Sequence, residues 1–336
     1  MKIARIADPA GPRAAVVTED RIQPLAHALT VEQLLCASPE ERERLVEASA
    51  AGPQRHLSEV RLLAPILPPT LRDYITYEEH LEGSLKGLGI SPPAVWYEQP
   101  VFFFCNTNAV VGPSEPVAIP PGCIRFDFEL ELAAVIGRPG RDLRPDEAME
   151  HIAGYTIFND WSARDLMASV IPIGVGPVKG KDFANTIGPW IVTADELEPY
   201  RRDGRIALEM HAEVNGVPLP AGGDNSVNMS WSFEEMAAYA SRGADLVVGD
   251  VLAAGTCGGG SLLEYWGHTG SEVPPPLRAG DVVTLVVEGI GELSTTVVSG
   301  VEPVSIPRAR PPLHRRPRTW TAPAREAVRP ERKAES

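Results

Sequence analysis

The sequence predicts an α+β fold in which strands predominate. From about residue 107 to residue 305, short apolar segments are separated by glycine and proline turns, which is typical of consecutive strands. Strands do not alternate with crossover helices, and no dinucleotide-binding glycine fingerprint is present. Hydrophobic residues make up 43% of the 336-residue chain, enough for a large domain with an accessory one.

Residues 1–70 are predicted to form a small α+β accessory domain. Its first segments, KIARIAD and AAVVTED, predict a β-hairpin. Helix starts follow at Thr30 and at Ser38, the second with a capping box and a proline at the first helical position. The segment VRLLAPIL is predicted to be a strand that leads into the next domain.

Residues 71–305 form the predicted main domain. It opens with the polar segment LRDYITYEEHLEG and a loop that contains glycine and proline. The segments ALEMHAEVNGVPLP and RAGDVVTLVVEGIGELSTTVV each predict a hairpin, the first on the Asn215-Gly216 turn. SFEEMAAYAS predicts a helix with Ser232 as its N-cap.

Residues 306–336 differ in composition from the rest of the chain. They are rich in arginine and proline and poor in apolar residues. This composition favours an extended or disordered tail, with a docking arm for an acidic partner or for the other subunit of a dimer as the alternative.

The stretch RFDFELELAAVIG, residues 125–137, organises the main domain. Apolar and acidic residues alternate in it, which predicts one β-strand with Glu129 and Glu131 on the same face. Two adjacent carboxylates repel each other, and a hard divalent cation with oxygen ligands would resolve the conflict. The alternative is a solvent-facing strand edge that happens to carry two acids.

The overall charge and the cysteines narrow the class of protein. The formal net charge of −14 does not favour nucleic acid as a partner. Four scattered cysteines lack metal-ligand spacing and favour reduced thiols. No apolar run approaches the roughly 18 residues of a membrane span, so we expect a cytoplasmic protein that does not insert into membranes.

Acidic and basic residues recur in four separated segments. These are RDYITYEEH, FDFELELAAVIG, GYTIFNDWSARDLM with GPVKGKDFANTIGPWIV, and GTCGGGSLLEYWG. In this order and spacing they resemble the fumarylacetoacetate hydrolase family over about residues 70–305. The resemblance implies a mixed β-roll like that family's C-terminal domain, a bound Mg²⁺ (or Ca²⁺ or Mn²⁺) and a homodimer.

The resemblance also assigns site residues. The family's metal ligands match Asp73, Glu129, Glu131 and Asp160, four oxygen donors that suit a hard cation. The water-activating histidine and its glutamate partner match His80 and Glu264, which fits the logic of a general base held by a carboxylate.

Three further positions match residues near the metal or the substrate. Lys181 matches a lysine that can hold a substrate oxygen or an oxyanion. Arg164 matches an arginine that either stabilises the oxyanion or only locks the carboxylates. Thr256 matches a substrate contact, with a turn hydroxyl as the alternative.

Substrate-side positions depart from the family pattern. Ile75 and Ile171 stand where tyrosines are expected, Gly89 where an arginine would bind a carboxylate, and Met167 where a glutamine is expected. We therefore predict Ile75 and Met167 as apolar substrate contacts and favour a less polar acylpyruvate or a longer β-diketo acid. The aromatic side chains of the preceding loop could form core or pocket wall, and core is favoured for most of them: Trp96, Tyr97 and Phe102–Phe104.

The predicted activity is therefore metal-dependent hydrolysis of a C–C bond in a β-diketo acid, either an acylpyruvate or a compound like fumarylacetoacetate. A lyase or isomerase that acts on a 2-oxo acid through the same metal enolate is the alternative. A metal-stabilised binding protein without turnover is the third hypothesis, and the presence of both His80 and Glu264 favours the first.

Overall fold

The computed structural model describes residues 1–86 and 89–313. The strands are β1 Lys2–Ile6, β2 Arg13–Thr18, β3 Arg21–Pro24, β4 Arg55–His56, β5 Leu62–Leu63, β6 Leu71–Tyr74, β7 Phe102–Phe104, β8 Val110–Val111, β9 Val117–Ala118, β10 Phe126–Asp127, β11 Leu130–Ile136, β12 Gly140–Arg141, β13 Ile152–Asp160, β14 Ser162–Ala163, β15 Asn185–Thr193, β16 Arg201–Arg202, β17 Arg205–Ile206, β18 Glu209–Val214, β19 Val217–Pro218, β20 Asp224–Asn225, β21 Asp245–Leu246, β22 Val251–Ala253, β23 Val282–Val287 and β24 Gly291–Val298.

The α-helices are short and fewer. They are α1 Val31–Cys36, α2 Pro39–Ser49, α3 Glu78–Lys86, α4 Pro145–Ala148, α5 Arg164–Val170, α6 Ala194–Leu197, α7 Phe233–Ala240 and α8 Leu262–Thr269. This content confirms the predicted α+β class with strands predominant. Among the helices of the described ranges, none has both the length and the apolar character that a membrane span requires.

A 12-stranded mixed sheet organises the compact unit that runs from Met1 to Glu302. Its strand order is β4-β3-β2-β1-β15-β13-β11-β22-β6-β7, with β5 added beside β1 and β8 beside β15. The pairings along this path are antiparallel except that of β22 with β6. The N-terminal strands therefore extend the same sheet through the pairing of β1 with β15.

The central strand β11 is buried on both faces. Leu130 and Leu132 pack in the main core, which includes apolar residues of β18, β23 and β24. Ala133 and Val135 pack on the opposite face against Leu34 and its neighbours in α1. The interpretation as a solvent-facing edge is therefore wrong, because every residue of β11 is buried.

The organising stretch is not one continuous strand, which corrects the prediction. Phe126 and Asp127 form β10 and pair with β14, while β11 begins only at Leu130. At Glu129 the regular backbone pairing with β13 is interrupted, because the Glu129 N–H donates to the side chain of Asn159 at 3.1 Å. Even so, Glu129 and Glu131 point into one cluster, as the alternation predicted.

The accessory segment confirms the predicted hairpin and both helix starts. β1 pairs with β2 in antiparallel register, and α1 and α2 begin after Thr30 and Ser38. The reciprocal capping box lies at Thr30 with Gln33, whereas at Ser38 only one half forms, in which the hydroxyl accepts from the Glu41 N–H at 3.2 Å. VRLLAPIL forms strand only at β5.

A second, six-stranded sheet covers the main core. Both predicted hairpins belong to it: β18 pairs with β19 across Asn215-Gly216, and β23 pairs with β24. The helix α7 begins after Ser232, whose hydroxyl accepts from the Glu235 N–H at 3.2 Å. Residues 303–313 contain neither helix nor strand, and the remainder of the predicted tail lies outside the described residues.

Candidate metal centre and active site

Four carboxylate side chains converge at one end of the central strands. Asp73 lies on β6, Glu131 on β11 and Asp160 at the end of β13, and Glu129 lies between β10 and β11. β11 lies beside β13, and only β22 separates it from β6, so the four residues come from neighbouring parts of one sheet. Carboxylate oxygens of all four lie within 4.8 Å of one another, and none of the four residues is more than 4% exposed.

Burial and the neighbouring charges shift the pKa values of the four carboxyl groups. Burial, followed by the neighbouring carboxylates, raises the pKa of Asp73 and of Glu131 well above the usual range. Burial also raises the pKa of Asp160, to about 6. The pKa of Glu129 moves the other way despite its burial, because Lys181 and Arg164 lie beside it.

Two cations contact this cluster in the described part of the chain. The Lys181 ammonium donates to Glu129 and to Asp160, and the attraction of these carboxylates raises its pKa although burial opposes it. A guanidinium nitrogen of Arg164 lies 2.7 Å from Glu129 Oε1 and 2.7 Å from Asp127 Oδ2. Five buried carboxyl groups therefore share two cations, fewer than their full ionisation would need.

The donor set fits a hard divalent cation. Asp73 Oδ1, Glu131 Oε1 and Asp160 Oδ1 are buried without a hydrogen-bond partner. A buried carboxylate oxygen without a partner is costly, and Mg²⁺, Ca²⁺ and Mn²⁺ prefer carboxylate oxygens. The remaining Glu131 oxygen accepts from the Gly255 N–H at 2.9 Å, which fixes its orientation. Gly255 has a φ of +86°, and a Cβ there would lie 2.3 Å from the Tyr74 carbonyl oxygen.

His80 lies beside the cluster on α3. Its Nδ1 is 2.6 Å from Glu264 Oε1 and donates to this carboxylate, so in the neutral imidazole Nε2 presents a lone pair. That Nε2 lies 3.8 Å from Glu129 Oε1 and 3.4 Å from the Ser84 hydroxyl, which is one helical turn further on. Both partners of the pair are buried, with 8% and 3% exposure.

The approach of α3 to α8 makes this pair possible. A Cβ on Gly83 would lie 3.0 Å from His268 Nε2 and 3.2 Å from Glu264 Cγ, so a larger residue would require these side chains to shift. The second oxygen of Glu264 accepts from the Gly259 N–H at 2.8 Å. The glycine-rich segment GTCGGGS thus holds carboxylates of both the acidic cluster and the histidine pair.

The predicted substrate-side residues line one cavity of about 320 Å³ together with the cluster and His80. Ile75, Met167, Thr256 and Ile171 all contribute to its wall, whereas Gly89 does not. Apolar side chains form most of the remaining lining: Ile75, Leu81, Phe103, Met167, Ile171 and Leu263.

The aromatic residues of the preceding loop divide between core, wall and surface. Trp96 is buried in the core and Phe103 lines the cavity. Tyr97 and Phe104 are 53% and 64% exposed, so the prediction of core is wrong for these two residues.

Asp127 is an important residue that the sequence prediction did not include. It is fully buried and accepts from Arg164 Nε at 2.8 Å. It also accepts from the N–H groups of Leu262 and Leu263 at 2.8 and 3.0 Å, and so caps the helix that carries Glu264. Its place two residues before Glu129 in the acidic alternation was the available signal.

Cys105 is a second residue that the prediction omitted. Its sulfur lies within the same 4.8 Å limit of carboxylate oxygens of Asp73 and Asp160. Burial and these carboxylates raise its pKa well above the usual range, so it remains a neutral thiol in this environment. Nothing in the spacing of the four cysteines indicated this position.

The chain belongs to the fumarylacetoacetate hydrolase family. The protein-family model "Fumarylacetoacetate (FAA) hydrolase C-terminal" matches residues 70–298, and the family model "Rv2993c-like, N-terminal" matches residues 1–65. The first match contains every residue of the carboxylate cluster and the histidine pair.

Individual relatives agree with this assignment. The chain is 34% identical over 228 residues to fumarylacetoacetase fahA of Aspergillus fumigatus. The match covers 58% of this chain but only 50% of that protein. The structure of fumarylacetoacetate hydrolase from Exiguobacterium antarcticum matches with a TM-score of 0.68 and 29% identity, covering 89% of this chain and 100% of that one. The structure of 5-carboxymethyl-2-hydroxymuconate delta-isomerase from Mycobacterium smegmatis matches with a TM-score of 0.66, 29% identity and the same coverage.

The raised pKa values predict how pH changes the stability of the metal-free protein. Asp160, Asp73 and Glu131 bind protons more tightly when folded than when unfolded, so the free energy of unfolding should fall as the pH rises through about 6. A divalent ion replaces those protons, and the rise in Tm that Mg²⁺ causes should be larger at pH 8 than at pH 5. Thermal unfolding with Mg²⁺ or chelator at both values tests this.

Glu131→Gln supplies the matched variant for this prediction. It removes one negative charge but keeps the side-chain shape, so at pH 8 the metal-free variant should be more stable than the wild type. Its Mg²⁺-dependent rise in Tm should be less than half that of the wild type. Glu292→Gln, an exposed change on β24, should behave like the wild type. Equal Mg²⁺ effects at both pH values would contradict the account.

A second prediction concerns Asp127. Replacement by alanine leaves Arg164 with a single carboxylate partner and leaves the first turn of α8 without its acceptor. Loss of one partner of a buried ion pair typically costs about 3–5 kcal/mol in the free energy of unfolding. Urea denaturation of the metal-free protein measures this loss in the free energy of unfolding.

Asp245→Ala is the control for Asp127→Ala. Asp245 pairs with Arg141 on the surface at 3.1 Å, and removal of such an exposed pair typically costs about 0–1 kcal/mol. Equal losses for the two variants would show that the Asp127 network contributes no more than a surface pair.

Proposed function

We propose that this protein is a divalent-metal-dependent hydrolase that cleaves the C–C bond of a β-diketo acid. The observation that carries the proposal is the buried His80–Glu264 pair, at 2.6 Å, beside a cluster of four carboxylates. The substrate is an acylpyruvate or a compound like fumarylacetoacetate. Family membership supports metal-dependent chemistry on such acids, and the fumarylacetoacetate hydrolase of E. antarcticum shares the fold.

In this proposal His80 is the general base. Its Nε2 faces the cavity and takes a proton from a water molecule, while Glu264 stabilises the imidazolium through Nδ1. Because Glu264 is itself held by the Gly259 N–H, the imidazole ring keeps its orientation during the transfer. Ser84, 3.4 Å from Nε2, is placed to position the same water.

Asp73, Glu129, Glu131 and Asp160 would hold the metal ion. When bound, a divalent ion supplies an electron sink for the enolate of a 1,3-diketo acid. Its charge also balances the excess of carboxylates in the cluster, which Lys181 and Arg164 do not balance alone.

Lys181 is proposed to hold the oxyanion that forms at the attacked carbonyl. An ammonium has three N–H donors, and Glu129 and Asp160 accept from two of them, which leaves one for a substrate oxygen. Arg164 is engaged with Asp127 and Glu129, so its proposed role is to lock the carboxylates. Thr256, Ile75 and Met167 are proposed to contact the substrate.

The reaction consumes one water molecule. The water oxygen bonds to the carbonyl carbon distal to the carboxylate, and the bond between that carbon and the methylene carbon breaks. The electron pair passes to the methylene carbon as an enolate, which takes up a proton from the His80 imidazolium. The products are two acids, one of them pyruvate when the substrate is an acylpyruvate.

An isomerase or decarboxylase acting on a 2-oxo acid is the second candidate. It is favoured by the similarity to the protein named 5-carboxymethyl-2-hydroxymuconate delta-isomerase, which covers 89% of this chain. Such reactions also form an enolate but need no attacking water. The paired base makes hydrolysis the first candidate. Mg²⁺ as the native ion, a homodimer and a cytoplasmic location stay predictions.

His80→Ala tests the proposed base. With Mg²⁺ and a small acylpyruvate, loss of the diketo-enol absorbance should slow by about 10²–10⁴-fold, because the water loses its general base. Mass analysis of the products should show two acids in the wild type, and chelator should abolish the activity.

His211→Ala is the matched control, since His211 lies on β18 with 40% side-chain exposure and does not line the cavity. Its rate and products should equal those of the wild type. Release of CO₂, or a product of unchanged mass, would reject the hydrolase in favour of the second candidate. An unchanged rate in His80→Ala would remove His80 from the mechanism.

A further inference from the structure

We infer that the substrate carries an uncharged, apolar acyl chain and a single carboxylate, so that the cavity discriminates against dicarboxylates. The inference rests on the proposed function, because it extends the same site. It differs from that proposal in concerning the part of the substrate that lies away from the reacting carbons.

The lining of the cavity combines a few charged groups with a larger number of apolar side chains. The charged groups are carboxylates of the cluster, Lys181, Arg164 and His80. The apolar lining contains Leu81, Leu263 and Phe103 together with the predicted contacts Ile75 and Met167. An acyl chain that extends from the reacting carbonyl would lie against these side chains.

The cationic side chains that line the cavity already form ion pairs with buried carboxylates. Among the described residues of the cavity wall, these cationic residues are Lys181 and Arg164. Lys181 donates to Glu129 and Asp160, and Arg164 contacts Glu129 and Asp127, so their charges are matched by buried acids. A second carboxylate at the end of the acyl chain would meet no unengaged cation on this wall.

This lining disfavours the binding of an acyl chain that ends in a charge and favours the binding of an apolar one. A carboxylate buried without a cation loses its hydration and gains no partner. Each CH₂ group removed from water, in contrast, favours binding by about fourfold. The neutral Ser84 and Thr256 hydroxyls do not compensate a full negative charge.

A matched pair of substrates tests the inference with the Mg²⁺-loaded full chain. 2,4-Dioxooctanoate and 2,4-dioxooctanedioate have equal carbon number and differ only at the end of the acyl chain. Hydrolysis would give pyruvate with pentanoate from the first and pyruvate with glutarate from the second. We expect kcat/KM for the monocarboxylate to be at least about 100-fold higher.

Two isoleucine variants show whether the wall sets this preference. Ile171 lines the cavity and is 49% exposed, whereas Ile173 lies in the same turn, is 73% exposed and does not line it. Ile171→Arg places a cation at the wall and should raise the dicarboxylate-to-monocarboxylate ratio of kcat/KM at least tenfold. Ile173→Arg should leave the ratio unchanged.

Each outcome separates this inference from the proposed function. Equal or faster cleavage of the dicarboxylate by the wild type would overturn the inference and leave the hydrolase standing. If neither compound yields pyruvate, the hydrolase is rejected, and calorimetric Kd values for the two compounds decide the inference. Tighter binding of the monocarboxylate would support it, and equal or tighter binding of the dicarboxylate, or binding of neither, would overturn it.

Discussion

The structure depends on an electrostatic conflict at its centre. Asp73, Glu129, Glu131 and Asp160 project from neighbouring parts of one sheet into a space of a few ångströms, where water cannot screen them. Lys181 and Arg164 relieve part of the repulsion, and burial together with the neighbouring carboxylates still raises the pKa of three members. A divalent cation is the simplest group that satisfies the three unpartnered oxygens.

The scaffold couples this cluster to the histidine pair through buried contacts. Asp127 joins Arg164 to the first turn of α8, and α8 carries Glu264. Gly255 and Gly259 donate to the two carboxylates from one glycine-rich loop. The same few elements therefore position the proposed base and the proposed metal ligands. A substitution that displaces one of these two groups should also displace the other.

The sequence predicted the members of the site better than the reasons for their arrangement. Alternation around Glu129 placed two acids on one face, and the resemblance supplied Asp73, Asp160 and the histidine pair, which lie together. Alternation did not reveal the break before Leu130, because an Asn159 side chain takes over a backbone hydrogen bond. Asp127 and Cys105 depend on long-range contacts, which local patterns do not contain.

A titration of the metal-free protein with Mn²⁺, followed by electron paramagnetic resonance of the unbound ion at pH 7.5, shows whether the buried carboxylates bind a divalent ion. We expect one saturable site per chain, displaced by Mg²⁺, and a clear loss of affinity in Asp73→Asn. Absence of a stoichiometric site, or equal affinity in that variant, would contradict the claim that the buried carboxylates form a metal centre.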